Sequence, residues 1–265
     1  MGRFFHLVAV FPAVLALSLM SGCDRSGSDG TAAVSPVLEV VQDSLSSSVP
    51  GEICAVVEFP ADTSSLLSRA IGEYIAETLG GSWEGSCVDV DGMLKAYVDG
   101  LSSAYSGMFS GLPADEVSCF DKLTIVKYAE NDKFVTFVTS REMYLGGAHG
   151  SLLTGGMTFR KADGRRIGWD VFTGKYDENF AGLVKDGLKK YWNISSDEEL
   201  RSCFLDENDY YSIPLPECPP LFTPEGIEFV YNEYEIAAYA YGRPTFTIPY
   251  SEISDYMMVT ARRLL

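Results

Sequence analysis

The chain reads as an α+β protein, an antiparallel β-sheet covered by helices on one face. Two observations predict this. Strand-like segments come in pairs across short turns, and helical periodicities come in separate runs. There is also no repeat at a fixed period.

The elements follow in order. Ile53-Cys54-Ala55-Val56-Val57-Glu58-Phe59 is a strand closed by Pro60. Asp62 or Thr63 can cap a helix whose inner face is Leu67, Ile71, Tyr74, Ile75, Thr78 and Leu79, with Gly80-Gly81 as its stop. A second helix covers residues 91–109, with Leu94, Tyr97, Val98, Leu101, Tyr105 and Met108 on one side. Asp89-Val90-Asp91-Gly92 resembles the start of a calcium loop, but Gly100 stands where that loop needs Glu, so the segment reads as a helix cap. Residues 123–128 and 134–139 flank Asn131-Asp132 as a hairpin, and 155–160 and 165–169 flank Ala162-Asp163-Gly164 as another. A third helix runs over 177–192 with Phe180, Leu183, Val184, Leu188 and Tyr191 inward, and a short one follows Asp197. Residues 227–231 and 245–248 are again strand-like.

The first residues point to export. Arg3 precedes an apolar run from Phe4 to Met20 that is short for a membrane span and interrupted by Pro12. Small residues then lead into Cys23, which reads as a processing site. The reading is a lipoprotein signal peptide over 1–22, with Cys23 lipidated and holding the protein on a bacterial cell-envelope membrane. Residues 23–50 are expected to be a flexible tether, since a run such as Asp24-Arg25-Ser26-Gly27-Ser28 buries too little apolar surface to offset its ordering entropy. Residues 51–115 form an N-terminal helical and strand subdomain, and 116–265 a C-terminal domain.

Composition narrows the function. The 46% hydrophobic content is ordinary for a globular chain, and about 240 residues follow the signal segment, enough for a real core. The net charge of −17 is not ordinary, and removing Arg3 makes it one unit more negative. Such a chain repels nucleic acid and speeds the approach of a basic protein. Five cysteines follow Cys23, an odd number in an oxidising compartment. Cys203 and Cys218 bracket a Pro-rich loop and are the first disulfide candidates; Cys87 and Cys119, around the second helix, are the next. Cys54 would then be a buried thiol, and connectivity stays open.

Few residues suggest chemistry. After the signal segment the chain holds one histidine, His149, and no Gly-x-Ser-x-Gly or Cys-x-x-Cys motif. No metal or other cofactor is expected. In Gly146-Gly147-Ala148-His149-Gly150 the glycines reach backbone angles closed to other residues, and His149 is expected to hydrogen-bond the loop they build. Tyr231, Tyr234, Tyr239 and Tyr241 with Arg243 and Pro244 form an aromatic segment. Tyr234 and Tyr239 are expected in the core, and Tyr241, Arg243 and Pro244 at a partner surface.

In order, these motifs resemble a known family. Tyr144-Leu145-Gly146-Gly147-Ala148-His149-Gly150, then Trp169-Asp170-Val171-Phe172, then Phe222-Thr223-Pro224-Glu225-Gly226-Ile227, then Tyr234-Glu235-Ile236-Ala237-Ala238-Tyr239-Ala240-Tyr241-Gly242, and a strand ending Ile248-Pro249-Tyr250, are similar to the C-terminal domain of RsiV-type lysozyme-sensing anti-sigma factors. A similar domain precedes the catalytic domain of some peptidoglycan deacetylases. The resemblance covers roughly residues 120–256 well and 52–115 more loosely. It implies an exported, non-enzymatic binding domain with a basic partner such as lysozyme. The alternative function is a cell-envelope glycan or peptidoglycan hydrolase using a carboxylate pair that the sequence does not single out.

The anchor is directly testable. Cys23→Ala should move the protein from the membrane fraction to the soluble fraction on cell fractionation; unchanged partition would refute lipidation at Cys23.

Overall fold

The computed structural model describes residues 37–48, 51–113, 116–175 and 177–265, all within one compact unit, Ser35–Leu265. The expected signal peptide, Cys23 and residues 24–36 of the expected tether lie outside the described residues. No helix among the described residues is long and apolar enough to cross a membrane.

The larger sheet has six strands in the order β1 (Val40–Ser47), β2 (Glu52–Pro60), β3 (Phe120–Glu130), β4 (Phe134–Tyr144), β5 (Ser151–Arg160) and β6 (Arg166–Ile167). Three features depart from the sequence reading. Residues 40–47 of the expected tether are a strand at the sheet edge, paired antiparallel with β2. β2 and β3 run parallel, so the sheet is mixed rather than purely antiparallel. The cause is the connection: two helices, α1 (Leu66–Thr78) and α2 (Val90–Met108), lie between β2 and β3 and return the chain to its starting end. Because β2 pairs with β3, residues 51–115 and 116–265 share one sheet instead of forming separate subdomains.

One face of this sheet carries Ile53, Ala55, Val57, Phe59, Leu123, Ile125, Val135, Phe137 and Phe159 in one core with α1 and α2. Ser65 rather than Asp62 or Thr63 caps α1, accepting from Ser68 N, and Asp89 caps α2. Leu67, Ile71, Tyr74 and Ile75 point inward as their spacing requires, each apolar burial stabilising by about 1.5–3 kcal/mol. Met108, expected inward, is exposed at the last turn of α2. Beneath α2, buried Asp121 accepts from Arg141 Nε (2.9 Å) and Nη2 (2.5 Å) and from Tyr105 Oη (2.5 Å). These bonds hold Arg141 charged and raise its pKa, and burial raises that of Tyr105.

The other face is covered by a second sheet of β7 (Leu221–Phe222), β8 (Gly226–Val230) and β9 (Thr245–Pro249). α3 (Glu178–Trp192) packs on β9, and α4 (Asp197–Cys203), α5 (Tyr250–Ile253) and α6 (Val259–Arg262) complete this half. Its core joins Phe134 of β4 to Phe180, Phe222, Phe229 and Phe246. The two sheets meet through hydroxyls. Thr136 and Thr158 are fully buried; Thr136 Oγ1 donates to Phe222 O (2.6 Å), and Phe222 N donates to Thr158 Oγ1 (3.0 Å). The two threonines thus satisfy both backbone groups of Phe222, as a neighbouring strand would. Gly156, two residues from Thr158 on the same face of β5, lets Leu221 approach, since a Cβ there would lie 2.6 Å from its side chain.

Neither expected disulfide is present. Cys203 Sγ donates to Glu199 O within α4, while Cys218 is buried with Leu221, Val230 and Val138. Both are free thiols, and burial pushes Cys218 up to about 12. The intervening loop is held by hydrogen bonds instead: Tyr231 Oη to Pro214 O, Trp169 Nε1 to Pro216 O, and Glu217 N to Glu235. Cys87 is also a free thiol, its backbone against Gly72 of α1, whereas Cys119 abuts Gly51, so the Cys87–Cys119 pair is not formed. Cys54 faces away from the core its neighbours enter and is half-exposed.

The threonine clamp gives a stability test. Thr158→Val keeps the shape but strands the Phe222 N–H, so chemical denaturation should report a loss of about 1–3 kcal/mol. A variant as stable as wild type would show that the hydroxyls do not join the sheets.

Candidate functional site

The loop between β4 and β5 and the connection between β8 and β9 meet at one end of the larger sheet. In the loop, Gly146 and Gly147 have φ of 98° and 109°, where a side chain is strained. Gly150 lets β4 and β5 start pairing, since a Cβ there would sit 3.0 Å from Met143 O. Tyr144 Oη donates to Gly147 O (3.2 Å) across the loop.

Thr154 of β5 clamps the connection. Its N–H donates to Asn232 Oδ1 (2.7 Å) and its carbonyl accepts from Asn232 Nδ2 (3.0 Å), so the amide imitates a strand partner. Its hydroxyl accepts from Arg243 Nη1 (2.7 Å). Glu235 closes the turn by accepting from Asn232 N (2.7 Å). The turn holds Tyr234 at φ 64°, a left-handed conformation rarely taken by a non-glycine residue.

These constraints build an exposed aromatic cluster. The His149 ring stacks on Tyr239 at 4.1 Å and lies 6.4 Å from Tyr234. Tyr234 is 53% exposed and Tyr239 41%. His149 Nδ1 lies 2.8 Å from Gly150 O and donates to it, which leaves Nε2 to accept a long 3.4 Å bond from Tyr234 Oη. Beside the cluster is a cleft of about 400 Å³ lined by Tyr144, Tyr239, Glu142, Glu233 and Arg243 among others.

The structure thus joins Gly146, Gly147, His149 and Gly150 to the aromatic segment but reorders the segment. Tyr234 and Tyr239, expected in the core, are exposed, because apolar Ile236 and Ala237 between them take the inward positions. Pro244, expected at a partner surface, is buried, and its carbonyl accepts from Tyr231 N. Tyr241 is exposed but turned to α3, where its carbonyl accepts from Trp192 Nε1. Arg243 is half-buried; its N–H donates to Tyr191 Oη. The sequence reading missed Glu142 and Glu233; no local pattern marks them, because the hairpin and the turn bring them together.

A second cleft of about 550 Å³ lies between β3 and the second sheet, lined by Tyr128, Glu225, Glu228 and Thr247. Thr223 builds its rim, its hydroxyl accepting from Glu225 N and Gly226 N. Tyr128 Oη donates to Glu228 (2.9 Å). Burial raises the Glu228 carboxyl above the ordinary range and pushes Tyr128 up to about 12.

Fold and site define an α+β protein whose central mixed sheet lies between a helical layer and a small second sheet, with an aromatic cluster at one end. Residues 170–251 match a family described as "Protein of unknown function (DUF3298)". A crystal structure from Bacteroides fragilis NCTC 9343, of a DUF3298 family member, is 20% identical and superposes with a TM-score of 0.57 over 84% of this chain and 93% of that one. A DUF3298 protein from Pseudomonas aeruginosa PAO1 is 15% identical, with a TM-score of 0.58 over 85% of this chain and 97% of that one. The likeness to both is one of fold. No curated protein matches the chain.

Glu228 supplies a pH test. A carboxyl whose pKa is raised by folding contributes stability at low pH that is lost as pH rises through the raised value. Glu228→Gln stays neutral and can still accept from Tyr128. It should melt above wild type at about pH 8, and the gap should close by about pH 3, below the unfolded carboxylate range. Equal melting temperatures at both pH values would contradict the burial of this charge.

Proposed function

We propose that the chain is a lipid-anchored, non-enzymatic binding protein of the bacterial cell envelope. It presents the His149, Tyr234 and Tyr239 cluster to a basic protein partner such as a lysozyme-like hydrolase. The observation that carries the reading is the exposed, pre-ordered aromatic cluster. Rigid aromatic side chains supply contact area at low entropic cost, and here the loop and clamp have already restricted them. Three further features support it: the apolar N-terminal run ending at Cys23, the net charge of −17, and the resemblance of the ordered motifs to the RsiV-type domain. Similarity to DUF3298 proteins is compatible with this and assigns no partner.

A second reading has one specific observation behind it. The cleft at Tyr128, Glu225 and Glu228 holds two carboxylates, one of them with a raised pKa, the combination that acid–base hydrolysis of a glycan uses. Under that reading Glu228→Gln would abolish release of fragments from peptidoglycan, whereas the binding reading expects none from wild type.

The binding test is calorimetry of residues 36–265 with a basic lysozyme at about 0.15 M salt, where the screening length is about 8 Å and loose charge attraction has faded. Wild type should give measurable heat, and Tyr234→Ala and Tyr239→Ala should each weaken binding at least roughly 10-fold. No heat from any lysozyme type would end the lysozyme reading.

A further inference from the structure

The cleft beside the aromatic cluster has a chemistry of its own. Its volume of about 400 Å³ falls within the roughly 300–1,000 Å³ of small-molecule sites. Tyr144 and Tyr239 line it from the loop side and the connection side. His149 covers one face of Tyr239 at 4.1 Å, so the contact of that ring with the cleft falls to its other face or rim.

The polar groups are unusual in being unspent. Among the described residues, neither Glu142 nor Glu233 enters an ion pair or a side-chain hydrogen bond. Arg243 gives one guanidinium nitrogen to Thr154 and joins no ion pair among the described residues, although it lines the same cleft as two carboxylates. Opposite charges that share a cleft without pairing leave both acceptors and donors open to a guest.

We propose that this cleft binds a neutral saccharide, a pyranose chain stacked on the tyrosines and hydrogen-bonded by Glu142, Glu233 and Arg243. A pyranose ring offers an apolar C–H face to an aromatic ring and a rim of hydroxyls that donate and accept at once. A carboxylate accepts from neighbouring hydroxyls, and a guanidinium donates through its planar fork. An anion would meet the two glutamates. A cationic side chain of a protein partner would meet Arg243. A neutral polyhydroxylated guest can hydrogen-bond to all three groups and meets no like charge at any of them. One wall is also pre-ordered, because the Asn232–Thr154 clamp fixes the connection that carries Glu233, Tyr239 and Arg243. The inference is independent of the protein-partner reading, because it uses the cleft rather than the outer face of the cluster.

The test is NMR or tyrosine-fluorescence titration of the full chain in detergent. The probes are a β-1,4-linked N-acetylglucosamine trimer, a glucose trimer and a Lys/Arg-rich pentapeptide. A saccharide should bind with a Kd on the order of 1 mM or tighter. That Kd should be unchanged between about 0.01 M and 0.5 M salt, because the ligand carries no charge to screen. Tyr239→Ala and Glu233→Gln should each weaken binding at least about 10-fold with the melting temperature held. The inference fails if neither saccharide perturbs the protein at about 10 mM, a concentration that would load a millimolar site. It also fails if saccharide binding survives both cleft variants, or if only the cationic peptide binds there and salt removes it. Loss of lysozyme binding with saccharide binding intact would overturn only the protein-partner reading.

Discussion

Helices cover one face of the six-stranded sheet and the second sheet covers the other at β4 and β5, and that constraint organises the rest of the chain. On one side α1 and α2 bury alternate residues of β2 to β5. On the other, Thr136 and Thr158 take both backbone groups of Phe222 and dock the second sheet. Hydroxyls serve here because Phe222 brings a backbone N–H and C=O that need partners at the join, and apolar side chains would leave both unsatisfied. Once β7 is fixed, β8 and β9 follow it by pairing, and the connection between them is delivered to the end of β5.

The site is a consequence of that delivery. Thr154 is the point where the larger sheet holds the connection, through two bonds to Asn232 and one from Arg243. The left-handed Tyr234 stores local strain on one side of the gap, and on the other side Gly146 and Gly147 take positive φ angles that only glycine reaches without cost. Strain of this kind persists only where surrounding bonds over-determine it. Here it places aromatic rings in water, where a folding domain gains nothing from them and a ligand could. The loop from Phe204 to Glu217 is tied by hydrogen bonds to Trp169, Tyr231 and Glu235.

The secondary structure was largely legible in the chain because it depends on local periodicity and turn chemistry. Residues 177–192 read as a helix and form one over Glu178–Trp192, since Phe180, Val184 and Leu188 recur at its period between a capping Asp177 and a left-handed Asn193. Asn131-Asp132 marks a hairpin that the structure forms between β3 and β4, with Asn131 Oδ1 accepting from Lys133 N and Phe134 N. The orientation of β2 against β3 was not legible. It depends on where a two-helix connection returns the chain, and neither strand encodes that. β1 was hidden for a related reason: Val40–Ser47 is polar at most positions, and only its pairing with β2 makes it a strand.

At the site the division is sharper. The sequence by itself determined an acidic composition, a glycine-built loop around His149 and an aromatic segment, because each is a property of composition or of a few adjacent residues. Which aromatics face water was decided only by tertiary structure. Tyr234 and Tyr239 are as apolar in sequence as buried Tyr231; they are exposed because Ile236 and Ala237 fill the core between them and Asn232 is pinned to β5. The meeting of Glu142, Glu233 and Arg243 in one cleft was likewise decided there, because contacts between distant segments depend on the docking of two sheets and not on local periodicity.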